Sequence, residues 1–450
     1  MKKKYAFLLF LCFQLSFSQY GNVSTIAGDG SQGYSGDGGP ATSAVTNFPS
    51  DVVIDNSGNI YFSEITNCVV RKIATDGTIT TVAGVVGNCS FDGDGGPANV
   101  AKLDFPSGLG VDANGNLYIS DRNNHRIRKV ATNGIITTVA GNGTDGDSGD
   151  GGQATAANLD TPTDVAVDAT GNIYISDWYN HKIRKINTSG VISTYAGTGD
   201  SGFSGDNGLA TAAKLKSPDG IAVDADGNVY FSDRSNDRIR KISTSGIITT
   251  VAGKGGFNAF SGDGGQATDA EFNDPNGIAL DATGNIYVVD RDNHRVRKIG
   301  TDGIINTIVG TGTTGYSGGG YNGDGQIGTA TLLNKPTGIA IDNSGNVIFA
   351  DYNNHRIRKL ASSSLSVNNF SKNIISFYPN PISGDQKLTI ESKENISEIS
   401  ILNSTGQVVN KVTVNSDIYS ASMDNLSKGI YFVKLSNDKN QSTTYKLVKN

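Results

Sequence analysis

The sequence predicts an all-β chain: a six-bladed β-propeller followed by a small C-terminal β-sandwich. Three observations predict it. One proline recurs at Pro49, Pro106, Pro162, Pro218, Pro275 and Pro336, in steps of 57, 56, 56, 57 and 61 residues, and an arginine keeps the same steps from Arg71 to Arg358. Each unit holds four short segments of strand character and none of helical length. Glycine is frequent, at 58 of 450 residues without a collagen period, and so marks many tight turns.

The first element is a targeting segment, residues 1–18. Lys2, Lys3 and Lys4 precede an apolar run over 5–17, and Ser16 and Ser18 set small residues before a cut at Ser18–Gln19. The run is too short to span a bilayer, and no later stretch is apolar enough to do so. Its Cys12 leaves with it. The mature chain then keeps an even pair, Cys68 and Cys89, for which export predicts a disulfide.

The propeller occupies 19–361. In the unit that starts at Pro162, residues 164–167 form a strand, 168–172 a tight turn, 173–176 a second strand and 177–181 a polar loop. Residues 182–186 and 191–196 supply the third and fourth strands, joined by a turn at Ser189-Gly190. Four antiparallel strands, six times over, make propeller blades. The fourth-strand pattern is missing after Leu360 and present at 23–28 instead. Residues 23–27 are therefore expected to complete the last blade and close the ring, removing an open sheet edge.

The string DRNNHRIRK at 121–129, after PSGLGVD at 106–112 and GNLY at 115–118, resembles an NHL repeat, as do 290–298 and 351–359. The resemblance covers residues 22–361. It implies a six-bladed propeller used as a ligand- or partner-binding platform, with some relatives acting as lyases or lactonases.

Residues 362–373 are Ser/Asn-rich and read as a linker. In 374–450 the period is gone, and short alternating strands with polar turns predict the sandwich. FYPNP at 377–381, ISILNSTGQ at 399–407, LSKGIYF at 426–432 and KLVK at 446–449 resemble, in order, the type A C-terminal sorting domain of the type IX secretion system of Bacteroidetes. That resemblance implies secretion or cell-surface display by the type IX machinery, often with removal of the domain.

Candidate chemistry is weighed against structural roles. All four histidines share one repeat position, His125, His181, His294 and His355, which Cys68 and Asp237 fill in the other blades. No ligand cluster of zinc spacing exists, so each is expected to hydrogen-bond the loop between its own second and third strands. An acidic column, Glu64, Asp121, Asp177, Asp233, Asp290 and Asp351, accompanies the arginine column and predicts a buried pair in every blade. The Gly-rich loops between blades carry SGDGGQA and its variants, with Asp92, Asp94, Asp145, Asp147 and Asp150 as the calcium ligands they would offer. None has the spacing and closing Glu of an EF-hand, and their Asp-Gly pairs are expected to make turns, with Asp capping a helical turn at 154–159. No cofactor is therefore expected.

A net charge of −6 and acids in every blade exclude nucleic acid as the partner. The residue after the acidic column is the one that varies: Ile65, Arg122, Trp178, Arg234, Arg291 and Tyr352. Arginine and large aromatics are enriched at binding centres, and Trp178 is the single tryptophan, followed by Tyr179. These positions predict a binding face for an extracellular acidic glycan or peptide, on a monomeric propeller. An enzyme, lactonase-like or amidating-lyase-like, needs a metal or an acid/base pair near the axis. The sequence shows no unique histidine for it, and its conspicuous acids are repeated.

Overall fold

A computed structural model describes residues 20–256, 259–312, 318–362, 375–384, 386–403, 408–437 and 442–450. The expected targeting segment and all of the expected linker except Ser362 lie outside them. Ser362 itself ends a strand, Arg356–Ser362. Tyr20–Ser362 forms one compact unit, and the C-terminal residues another.

The first unit is six four-stranded antiparallel sheets. In the third blade these are Pro162–Val167, Ile173–Asp177, Lys182–Ile186 and Ile192–Ala196, in that order. β-branched residues suit these strands, and the side chains they alternate inward, such as Ile175 and Ile183, are fully buried between blades. Asp168 shapes the first hairpin: its carboxylate accepts the Thr170 and Asn172 N–H groups at 2.9 Å. Gly171 supplies the left-handed residue there, at φ 91°.

The ring closes as the missing strand predicts. Tyr20–Ala27 pairs with Arg356–Ser362, Val23 opposite Leu360 and Thr25 opposite Arg358. It becomes the outermost strand of the blade whose inner strands are Val347–Asp351 and Ile339–Ile341. Val23 and Ala27 are fully buried by it.

The arginine column is the frame. All six arginines are fully buried. Each bonds the acid of its own second strand, as Arg184 does with Asp177 at 3.1 Å. Each also bonds an aspartate of the Gly-rich loop: Asp37, Asp94, Asp150, Asp206, Asp263 or Asp324, at 2.6 to 3.1 Å. This corrects the expected capping role. The turn after the loop is a short 3-10 helix, Ala154–Ala156, whose N-cap Gln153 makes no side-chain cap bond. The loop aspartate serves the arginine instead, because a buried guanidinium with one carboxylate leaves donors unmet.

The histidines also differ from expectation. Their Nδ1 atoms reach the following blade rather than their own loop, accepting the backbone N–H of the residue before its proline. His125 accepts from Thr161 at 3.2 Å, His181 from Ser217 at 3.1 Å, His294 from Lys335 at 2.9 Å and His355 from Phe48 at 3.1 Å. Asp237 does the same for Asp274. Each of these donating residues has a left-handed φ, 48° to 59°, which points its N–H at the neighbour.

The C-terminal unit is the expected small all-β domain, one five-stranded sheet that closes around a buried core. Lys387–Leu402 and Val408–Ser422 pair along their lengths, and the first of them also pairs with Ile375–Tyr378 at one end and Gly429–Asn437 at the other. Ser442–Lys449 follows at the edge. Alternation puts Tyr431, Val433 and Leu435 inside, against Leu388, Ile390 and Ile399. No helix among the described residues is long and apolar enough to cross a membrane.

Candidate functional site

The first strand of each blade lies innermost, and neighbouring first strands are stitched together. The Ser107 hydroxyl donates to the Thr163 carbonyl at 2.8 Å, Thr337 to the Ser50 carbonyl at 2.6 Å, and the Gly338 N–H to Ser50 at 2.9 Å. Over this inner ring opens a cavity of about 270 Å³, to which every blade contributes. The variable position supplies its wall: Ile65, Arg122, Trp178, Arg234, Arg291 and Tyr352 all line it. Each is the first residue after the second strand, where the acid that binds the buried arginine ends the strand and the chain turns inward. The next residue, Tyr179, is not among the cavity-lining residues; its ring meets that of Trp178 edge to face, centroids 4.4 Å apart, and it is 57% exposed.

The wall has two unlike halves. On one side Arg234 and Arg291 are already paired. Arg234 grips Asp274 through Nε and Nη2, at 2.5 and 2.6 Å, and Asp219 through Nη1 at 2.8 Å. Arg291 bonds Asp274 at 3.1 Å and Asp292 at 3.0 Å. Burial works against the charge of Arg234, but Asp219 and Asp274 more than offset it and raise its pKa. On the other side Arg122 lies between two rings, Phe105 at 5.2 Å and Trp178 at 5.3 Å, and bonds no carboxylate. Burial lowers its pKa. Its Nε is buried without a hydrogen-bond partner, and so is the indole Nε1 of Trp178.

The floor holds acids that repetition concealed. The second residue after the repeated proline is glycine in four blades, but Asp51 and Asp164 in the first and third. A Cβ on Gly108 would stand 2.2 Å from Asp164 Oδ1, and one on Gly338 the same distance from Asp51 Oδ1. Glycine in the adjacent blade therefore makes room for each carboxyl. Asp51 accepts the Leu109 N–H at 2.7 Å, and Asp164 accepts Val165 and Ile221 at 2.8 Å. Burial pushes Asp51 up to about 7 and Asp164 well above the carboxylate range, against those backbone bonds.

Beside the Arg122 half, Cys68 and Cys89 form a disulfide with Cα atoms 5.5 Å apart. Cys68 stands where four other blades have their histidine, and the bridge ties its loop to the blade-to-blade loop that carries Cys89. The thiol sulfurs and Asp104 lie close together, but sulfurs joined in a disulfide are not thiolate ligands. The calcium candidates are divided in use: Asp94 and Asp150 hold frame arginines, Asp92 pairs with Lys102 at 3.5 Å and Asp147 with Lys182.

Comparison with known proteins agrees with the fold. A model of the secretion system C-terminal sorting domain matches residues 376–450. A model described as the Teneurin NHL domain matches 87–146, 142–203, 197–261 and 256–319, and the NHL repeat matches 333–360. Protein SUPPRESSOR OF QUENCHING 1, chloroplastic, of Arabidopsis thaliana is 29% identical over 327 residues, 69% of this chain and 30% of that one. Teneurin-1 of Gallus gallus is 34% identical over 251 residues, 49% of this chain and 9% of that one. The chain thus spans under a third of either relative. A solved structure from Bacteroides thetaiotaomicron of unknown function superimposes with a TM-score of 0.56 at 22% identity, covering 76% of this chain and 75% of that one.

Proposed function

We propose that this chain, which belongs to the NHL-repeat family and ends in a secretion system C-terminal sorting domain, is exported by the type IX machinery and works outside the cell as a ligand-binding propeller. One observation carries the reading: a position occupied by isoleucine, arginine, tryptophan or tyrosine in otherwise closely repeated blades supplies the wall of one cavity from all six sides. A repeated frame holds the ring rigid, and side chains free of that frame meet where a ligand would be enclosed. The ligand is an acidic glycan or peptide, or a smaller acid. The test is a glycan and peptide array probed with the purified chain. Ligands should be retained by the parent chain and lost by Trp178→Ala. Equal capture by both would move the site off the axis.

A second reading has one observation in its favour. Asp51 and Asp164 are the axial, non-repeated acids that a hydrolase or lyase would need. In that case Asp164→Asn keeps ligand binding and abolishes turnover; loss of binding with no turnover in the parent chain excludes it.

A further inference from the structure

We infer that the cavity takes a small aromatic or apolar monocarboxylate, its anionic end on the Arg122 guanidinium beside Trp178 and its apolar body against Phe105, Ile65 and Tyr352. The inference rests on the binding reading and narrows it. Three features of the cavity select this class.

The first is a guanidinium on the cavity wall that meets no acceptor: Arg122 bonds no carboxylate, and its Nε is buried without a partner. The buried Nε alone is no signature, since Arg184, Arg240, Arg297 and Arg358 share it while their other guanidinium nitrogens are paired with carboxylates. An acceptor in the cavity gains a charge-assisted bond from the Arg122 guanidinium. The second feature is charge. Arg234 and Arg291 face Asp219, Asp274 and Asp292 across bonded distances and need nothing more. Arg122 alone among the cavity arginines lacks a carboxylate, so one negative charge completes the site and several would not. The floor carboxyls do not fill that role, because they are turned to the backbone N–H groups of Leu109, Val165 and Ile221. The third is size and surface. A cavity near 270 Å³ holds a compact molecule rather than a chain, and the wall around Arg122 is built of aromatic and aliphatic faces. Two of those rings, Phe105 and Trp178, lie within cation–π distance of the guanidinium and hold the charge at an apolar wall.

The single tryptophan makes the test direct, since its fluorescence reports on this cavity alone. The purified chain is titrated with benzoate, phenylacetate and hexanoate, with the matching amides, and with an oligogalacturonate as a polyanion. Saturable quenching by a carboxylate at millimolar concentration or below is expected, with its amide weaker by about tenfold or more. Arg122→Met should weaken the acid by about tenfold and leave the amide unchanged, and Arg122→Lys should recover part of the loss. Circular dichroism confirms that each variant is folded. Equal affinity for acid and amide, equal affinity in Arg122→Met, or no quenching by any monocarboxylate overturns the inference. If array ligands or the oligogalacturonate still bind and depend on Trp178, the broader binding reading survives that failure; if nothing binds, both fall.

Discussion

Arg128 and Arg122 sit on the same blade and share a side chain, and almost nothing else. Arg128 donates to Asp94 and Asp121 and to the carbonyls of Asp92 and Lys102, with no exposure to solvent. Its equivalents are arginine in all six blades. Arg122 bonds no acid, lies between two rings, and is replaced by isoleucine, tryptophan or tyrosine in three blades. A buried cation fully matched by carboxylates is a strut. One that lines a cavity and bonds no carboxylate is a binding group in waiting. Pairing, more than residue type, separates frame from site.

The harshest break of the frame removes its closure. Deleting residues 19–28 strips the last blade of its outer strand, exposes the interior surface under Val23 and Ala27, and leaves the Arg356–Ser362 edge unpaired. The loss of burial and backbone bonds should cost roughly 5 kcal/mol or more. Urea unfolding measures it, and a midpoint equal to the parent's would mean the ring does not close through this strand.

The two arginines give the sharpest contrast. Arg128→Met strands Asp121, a carboxylate with no exposure, and should cost about 3–5 kcal/mol. Arg122→Met replaces an unpaired cation by an apolar chain of similar length and should change stability by less than about 1 kcal/mol, in either direction. Similar losses in the two variants would break the comparison on which the site assignment rests. The Cys68–Cys89 bridge belongs with the frame, although it borders the site. Closing its 21-residue separation stabilises by about 3 kcal/mol in the chain-entropy model. A Cys68→Ser/Cys89→Ser double variant should lose that amount, and a reductant should destabilise only the parent.

Much of this was legible in the sequence because six copies average away accident. The blade strands, the closing strand, the acid–arginine pair and the variable column all follow from comparing a unit with its neighbours. What repetition could not show is contact across distance. Arg184 meets Asp150 from a loop 34 residues earlier, and His125 meets Thr161, 36 residues on in the next blade. Local motifs suggested a cap and a loop bond instead. Arg234 and Arg291 looked as available as Arg122 because Asp274, which occupies them, precedes the proline in one blade only. Asp51 and Asp164 went unnoticed since four glycines at their position look like turn residues. Their signal was present, two exceptions in a glycine column, and only the geometry gives it meaning.

The floor carboxyls offer the smallest and most selective test. Asp51 belongs to neither the frame pairs nor the wall, and burial raises its pKa from near 4 to about 7. The folded protein therefore holds this proton more tightly than the unfolded chain does. Stability from that source is complete below about pH 4 and is lost as the pH rises through 7, when the folded state must ionise a buried group. Asp51→Asn never ionises. Its Oδ1 can keep the Leu109 N–H bond, while its amide meets the Val52 N–H less well than the carboxyl does, so the variant starts somewhat less stable in acid. From pH 5 to 8 the difference between the two chains should move in favour of the variant by on the order of 2 kcal/mol. The remaining ionisable groups are common to both and largely cancel. Asp164, relieved of its charged neighbour, shifts the balance the same way. Unfolding curves at matched pH values read this directly: parallel stability profiles for the parent and Asp51→Asn would show that the floor carries its charge at no cost, and that Arg122 is then balanced from within.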